Sequence, residues 1–261
     1  MQALKIAATG MSAQQTRVDV TANNIANMST NAYDRRRASF ADLHYQQLRA
    51  PGALSATTGE RVPVGVEIGL GARIDAVVVD HAQGALRTTG RELDVAIAGQ
   101  GFFEIVLPDG TAAYTRDGAF QLTPDGEVVT DEGFPLAAGI TVPEDASGIE
   151  VSVDGVVSAV FEGGARVEEL ATIDLVRFIN PAGLTAAGDA TFLETDASGA
   201  PEIAGPGTDG RGTLRQGFLE DSSVDVVAEI TELIEAQRGY ELNARVMTAA
   251  DEMLSATVRL R

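Results

Sequence analysis

The sequence predicts an α+β protein: long N- and C-terminal heptad helices forming a coiled coil, with an all-β antiparallel body between them. Three observations carry this. Apolar residues recur at three- and four-residue steps at both ends, the spacing of a helical seam. The middle repeats Asp-Gly between short β-prone runs, the strongest local hairpin signal. No helical pattern alternates with those runs, which disfavours a parallel sheet.

The first element is residues 1–49, a helix and a turn. Leu4, Met11, Val18 and Ile25 recur every seven residues, and Ala8, Gln15 and Ala22 follow by four. Asn23, Asn24 and Asn27 crowd the end, and Asn favours caps and left-handed positions, so the helix stops near residues 26–28. Residues 50–72 hold five Gly and two Pro. They read either as a flexible linker or as an extended arm packed on a neighbour. Val62, Val64, Val66, Ile68 and Leu70 alternate, which is too apolar for a solvated linker and favours the arm. Its residues are Pro51, Gly52, Leu54, Val64, Val66 and Ile68.

The β body spans residues 73–210, an antiparallel sandwich or irregular barrel. Strands are predicted over 93–98, 102–107, 112–116, 119–123, 127–130, 149–153 and 156–161, with hairpin turns at Asp109-Gly110, Asp117-Gly118, Asp125-Gly126 and Asp154-Gly155. Residues 180–212 read as loops with one short strand, 190–194. The last element is 211–261. Val226, Ile230, Leu233, Gln237, Tyr240, Ala244, Met247, Asp251, Leu254 and Val258 alternate steps of four and three. Ser222 and Asp225 resemble a capping box. A helix over 223–260 would be roughly 55 Å long. Its seam requires a partner: the N-terminal helix, a neighbouring subunit, or both. Gly239 in its interior costs about 1 kcal/mol relative to Ala unless it admits a close approach. Gln237 and Asp251 either meet solvent or fix register between neighbours.

Composition excludes several functions. The 261 residues carry 38 Asp and Glu against 19 Lys and Arg, a net charge of −19. Phosphate binding needs clustered cations, so nucleic acid is not a partner, and an anionic membrane surface is equally disfavoured. Residues 1–50 carry six basic and three acidic groups, and residues 211–261 six and nine, so the whole imbalance lies between them. There is no Cys, which excludes disulfides and thiolate chemistry. Two His cannot build a three-histidine zinc site. No nucleophile elbow or phosphate loop occurs. His44 and His81 have no neighbouring residues that suggest a triad, and Gly69-Leu-Gly71 and Gly99-Gln-Gly101 read as turns. No catalytic residue, metal or cofactor is expected. The N-terminus lacks a secretory signal, and no run approaches the ~20 apolar residues that span a bilayer, so membrane insertion is not expected.

Particular motifs narrow the reading. Ala8-Thr-Gly-Met-Ser-Ala-Gln-Gln15, Asp19-Val-Thr-Ala-Asn-Asn-Ile-Ala-Asn27 and Asn31-Ala-Tyr33 strongly resemble the N-terminal motif of flagellar rod and hook axial proteins. Gln216-Gly-Phe-Leu-Glu220, Ser223-Val-Asp-Val-Val227 and Glu235-Ala-Gln-Arg-Gly-Tyr-Glu241 resemble the C-terminal motif. Gly99-Gln-Gly-Phe-Phe103, Tyr114-Thr-Arg-Asp-Gly118 and Gly133-Phe-Pro-Leu136 resemble the β-domain signature. Within the family, Leu48–Leu54 to Val66–Gly71 look most like the distal rod type, with the proximal rod as the nearest competitor. One departure is Ala32, where the family more often has Gly.

The resemblance implies a structural axial subunit, not an enzyme. It would be exported unfolded through the flagellar type III channel without a cleaved signal peptide. It would then polymerise into a helical tube that transmits torque through the periplasm-spanning basal body. Its partners would be copies of itself, other rod proteins, the hook protein and ring proteins. The terminal helices would line the tube, with their seams unpartnered until neighbours arrive, and the 50–72 arm would stiffen it. The competing class is a secreted acidic β protein that binds calcium or glycans, which explains the charge but not the heptads.

Overall fold

The computed structural model describes residues 2–52, 63–161 and 166–259, with side chains to 256. Two helices, α1 (Gln2–Ala26) and α2 (Val226–Arg259), flank a body of short strands. The chain divides into two compact units. Unit 1 comprises residues 1–26, 36–79 and 225–261; unit 2 comprises residues 27–35 and 80–224.

In unit 1 the helices run antiparallel, with Gly10 opposite Asn243 and Gln14 opposite Gly239. The remainder is a two-stranded ribbon. Strand Tyr45–Arg49 pairs antiparallel with Val66–Gly69, and Arg35–Asp42 pairs with Ala72–Asp80. The ribbon follows α1: Asn24 meets Arg36, Thr9 meets Ala72 and Gln2 meets Gln46. The lengths agree, since helix from 24 back to 2 and extended chain from 36 to 46 each cover about 33 Å.

The α2 N-terminus differs from the predicted capping box. Asp225 itself is the cap: its Oδ1 accepts from the N–H of Val227 at 2.9 Å and of Ala228 at 3.2 Å. Ser222 instead bonds the N–H of Val224. Asp is among the best N-caps because its carboxylate satisfies donors that have no intrahelical partner.

Unit 2 is antiparallel throughout its ladders. Strand Phe103–Val106 pairs with Ala112–Thr115, which pairs with Thr191–Leu193, which pairs with Thr185–Gly188. Ala146–Val151, Val156–Phe161 and Arg166–Thr172 form a three-stranded sheet. Val95–Ala98 pairs with Thr213–Gln216, and Leu86–Thr88 with Phe218–Glu220. Residues 180–212, expected as loops around one strand, also contain Thr185–Gly188 and Glu202–Ala204. The first is small-residued and exposed along its length, so it shows no alternation to read. Successive side chains on a strand point to opposite faces. Phe103 and Leu175 therefore join one core, with Ile97, Phe120 and Leu214, while Phe102 and Val176 join a second, with Tyr114, Phe178 and Phe192.

One turn recurs. In Leu107–Thr111, Thr123–Glu127 and Ser152–Val156 the fourth residue is the Gly of Asp-Gly, with φ between 80° and 90°. In each, the first residue's carbonyl accepts from that Gly and its N–H donates to the fifth residue's carbonyl. This is a type I turn closed by a left-handed residue. Thr130–Phe134 repeats it with Glu-Gly, a hairpin that a search for Asp-Gly misses. Asp117-Gly118 is not such a turn. Gly118 lies against the Val95 carbonyl, where any Cβ would collide with the oxygen. Ala at Gly110, which has open space around it, is expected to cost about 1 kcal/mol for the left-handed backbone. Ala at Gly126 is expected to cost clearly more, because its Cβ would sit 2.3 Å from the Val142 carbonyl oxygen. Urea unfolding of the two variants measures the difference.

Candidate assembly interface

The surfaces that matter are built from the terminal helices and the ribbon of unit 1. The line of α1 that meets α2 is Ala7, Gly10, Gln14, Arg17, Thr21 and Asn24, spaced alternately by three and four. On α2 the matching line is Glu229, Glu232, Ala236, Gly239, Asn243 and Ala250. Ala7, Thr21, Asn24, Glu229, Ala236 and Ala250 are all buried. The members are small because the backbones are close. A methyl group on Gly10 would lie 2.9 Å from the Asn243 amide, and one on Gly239 3.0 Å from the Gln14 amide carbon. Gly239 therefore admits a close approach.

A polar contact closes the end of this line. Asn24 Nδ2 donates to Glu229 Oε2 at 3.0 Å and to the Arg36 carbonyl at 2.8 Å, and its Oδ1 accepts from the Arg36 N–H at 3.0 Å. One amide thus ties both helices to the start of the ribbon. Glu229 is completely buried, a costly place for a carboxylate without donors. Asn24 supplies one donor, and the position in the first turn of α2 places the charge at the positive end of the helix dipole. Arg17 lies 3.9 Å from Glu232 and 3.5 Å from Glu235; these half-exposed pairs add little.

The apolar residues expected to form the seam lie elsewhere on the same helices. Leu4, Met11, Val18 and Ile25 are half-buried beside the inner line, as are Val226, Leu233, Ala244 and Met247. Ile230, Gln237, Tyr240, Asp251 and Leu254 are exposed, as is Asn23, while Asn27 is half-buried. Val18, Gln237 and Tyr240 come together with Gln15 and Glu241 around an open groove of about 410 Å³. Size had displaced hydrophobicity as the criterion for the inner line, so the two helices already pair within one chain. In the 50–72 segment, Pro51, Gly52, Val64 and Val66 are exposed and Ile68 is half-buried in the ribbon. Leu54 and the Val258 side chain lie outside the described residues.

Unit 2 contains a buried ion pair that sequence reasoning missed. Arg116 Nε and Nη2 donate to Glu220 Oε2 at 3.0 and 2.8 Å. Its Nη1 and Nη2 also donate to the carbonyls of Gly101 and Gly99 at 2.9 and 3.1 Å, and Glu220 Oε1 accepts from the Gly84 N–H at 2.8 Å. The three segments Gly99–Phe103, Tyr114–Gly118 and Gln216–Glu220 therefore meet at one satisfied charge pair. The Gly99-Gln-Gly101 turn presents carbonyls, not the amides a dinucleotide site would need.

His81, whose neighbours in sequence suggest no triad, pairs with Asp34 at 2.6 Å. Its other ring nitrogen lies 3.1 Å from the Pro181 carbonyl, and Phe102 and Phe192 pack edge-on against it. Both nitrogens are engaged, so the ring is a structural post. Nearby, Ala32 takes the left-handed φ of 51° and is buried, at a cost of about 1–2 kcal/mol that Gly would avoid. Burial pushes the Tyr114 hydroxyl up to about 12 and raises Asp117, whose bond from the Ala119 N–H works the other way. Among the described residues, no group of three or more His, Asp or Glu could hold a metal ion, and no helix is long and apolar enough to cross a membrane.

Comparison with known proteins converges on one family. Residues 4–33 match the flagella basal body rod protein model, residues 96–159 the flagellar hook protein FlgE/F/G D1 domain, and residues 215–260 the flagellar basal body rod FlgEFG protein C-terminal model. The chain is 46% identical to the flagellar basal-body rod protein FlgG of Caulobacter vibrioides over 261 residues, covering 100% of each. It is 47% identical to that of Agrobacterium fabrum, covering 98% of this chain and 97% of the relative. With the protein of Bacillus subtilis it shares 38% identity over 97% of this chain and 96% of the relative.

Two substitutions test these contacts. Asn24→Ala takes one donor from a buried carboxylate and is expected to cost about 1–3 kcal/mol, and clearly less when Glu229 is already Ala. A double-mutant cycle followed by far-ultraviolet circular dichroism should return a coupling of about 0.5–3 kcal/mol. Arg116→Met leaves Glu220 buried and unpaired and is expected to cost about 3–5 kcal/mol in urea unfolding.

Proposed function

The chain belongs to the flagellar basal-body rod protein family, and from that premise we propose that it polymerises into the helical, tubular distal rod that transmits torque through the periplasm. The observation that carries the reading is the full-length similarity to relatives named flagellar basal-body rod protein FlgG. The molecule supports it physically. Helix α2 exposes apolar side chains along the side away from α1, among them Val227, Ile234 and Leu242. A helix with an uncovered apolar side is stabilised by packing that side on another chain. A contact between unlike patches, repeated by every copy, yields an open helical filament.

On this reading the protein is a structural element and not an enzyme. Its neighbours are copies of itself, with other rod proteins, the hook protein and ring proteins at the ends and sides of the tube. It reaches the periplasm through the flagellar export channel. The predicted helix positions Leu4, Met11, Val18, Ile25, Ile230, Gln237, Tyr240 and Leu254 serve contacts between copies. Residues 50–72 act as the stiffening arm, and the exposure of Val64 and Val66 leaves them open to a neighbour.

Concentration-dependent light scattering and electron microscopy of the purified chain test the reading. Straight rods that grow with concentration are expected, and a monomer at all concentrations would refute it. Deleting residues 50–72 is expected to leave unit 2 folded, by near-ultraviolet circular dichroism, while giving curved, more flexible polymers. Straight polymers from the deletion would remove the stiffening role.

A further inference from the structure

Unit 2 carries a half-open recess of about 400 Å³, within the range of about 300–1,000 Å³ that holds small molecules. Its charge is one-sided. Arg116, Arg177 and His81 line it, and no Asp or Glu does. Each of the three has a carboxylate partner: Glu220 for Arg116 at 2.8 Å, Glu202 for Arg177 at 3.1 Å and Asp34 for His81 at 2.6 Å. None of those carboxylates lines the recess. The pairs present their nitrogen ends to it and keep their oxygen ends outside the lining. Composition works against such sorting, since acidic residues number 38 against 19 basic. Recesses of similar volume beside Tyr240 and beside Leu122 carry Glu241 and Glu92.

Donors remain to be used there. A guanidinium has five N–H donors, and Arg177 spends two of them, on the Asp209 carbonyl and on Glu202. Its side chain is half-exposed, so the other three are within reach of a ligand. Arg116 is buried and spends four, two on Glu220 and two on the carbonyls of Gly101 and Gly99. An apolar wall adjoins these donors. Phe102 and Phe178 meet edge to face with centroids 6.1 Å apart, and the Arg116 guanidinium lies 6.0 Å from the Phe102 ring centre. Ile179, also in the lining, is 79% exposed. No other large hydrophobic side chain among the described residues is as exposed, so the recess has an apolar edge that nothing in its own chain covers.

We propose that this recess binds a carboxylate borne on a flat apolar group. The planar fork of an arginine matches the two oxygens of a carboxylate, and Arg177 is the arginine with donors to give. The apolar part of the ligand lies against Phe102, Phe178 and Ile179, and removing Ile179 from water adds to the affinity in proportion to the area covered. An amine would meet only nitrogens that donate, and a neutral ligand would keep the apolar contact without the charge-assisted bonds. A free carboxylate and an acidic side chain beside an apolar one on a neighbouring chain offer the same chemistry.

Phenylacetate is the probe, with phenylacetamide as its uncharged counterpart. Each is titrated into the full-length chain at neutral pH and followed by saturation-transfer NMR of the probe. Phenylacetate is expected to half-saturate on the order of 1 mM, and phenylacetamide to bind about tenfold or more weakly. Arg177→Gln is expected to abolish that difference. Its pair with Glu202 is half-exposed and adds little to stability, so the variant folds, as circular dichroism verifies. Ile179→Ser, at a side chain with almost no packing to lose, is expected to weaken both probes several-fold. Equal binding of the two probes to the unsubstituted chain, a preference that survives Arg177→Gln, binding unchanged by Ile179→Ser, or no transfer to phenylacetate at all would each overturn the site. Pelleting at matched ionic strength separates the two sources of the carboxylate. A polymer yield lowered by phenylacetate and not by phenylacetamide assigns the site to a side chain of a neighbouring copy, and an unchanged yield assigns it to a free carboxylate. The binding measurement stands or falls without reference to polymerisation.

Discussion

The close approach of α1 and α2 is the constraint on which unit 1 depends. Backbones this near can be separated only by small side chains, and Gly10, Ala236 and Gly239 supply them. Dispersion then acts over many short contacts instead of a few large ones. Closeness also removes water from the end of the line, so Glu229 must find its donors inside the protein. Asn24 meets that need and at the same moment binds both backbone groups of Arg36. A shift of α1 by one residue would break all three bonds, and a shift of α2 would break the one to Glu229. Register, helix pairing and the departure of the ribbon are therefore set by one side chain.

This explains what was legible in the sequence. The alternation of three and four was visible at both ends, and helix type and extent followed from it closely: α1 ends at Ala26 and α2 begins at Val226. The orientation of each helix did not follow, because the large apolar residues do not mark the inner line. Ala7, Gly10, Gln14, Arg17, Thr21 and Asn24 carry the same alternation, but none is a large hydrophobe. The signal that could have found them is periodicity in size instead of hydropathy. Tight helix packing selects for volume, and a polar residue is tolerated there when its partners are in reach.

The strands show the same division. Asp-Gly marks three of the four recurrent turns because the position needs a left-handed backbone, which the dipeptide encodes locally. Gly118 is conditioned by the Val95 carbonyl, a neighbour more than twenty residues distant in sequence, so nothing local distinguishes it. The Arg116–Glu220 pair joins segments separated by 104 residues. Its components were visible as motifs, but their meeting is a property of the fold. Within unit 2, then, those motifs mark internal geometry: glycines for close approach and carbonyl presentation, and one arginine to use the carbonyls. They do not mark a reactive surface.

Charge supplies the last step. The net −19 is carried by residues 51–210, with the two ends cancelling. Self-repulsion among copies is therefore concentrated in the middle of the chain, and the terminal segments approach one another with far less opposition. Salt screens exposed charges that lie farther apart than about 8–10 Å, so it weakens the repulsion between bodies. Apolar cover is not weakened in this way and is strengthened by sulfate or phosphate salts. On the proposed polymer reading, attraction is confined to the ends and the acidic middle holds wrong contacts apart. That is the distribution required of a subunit that must join its neighbours in one way only.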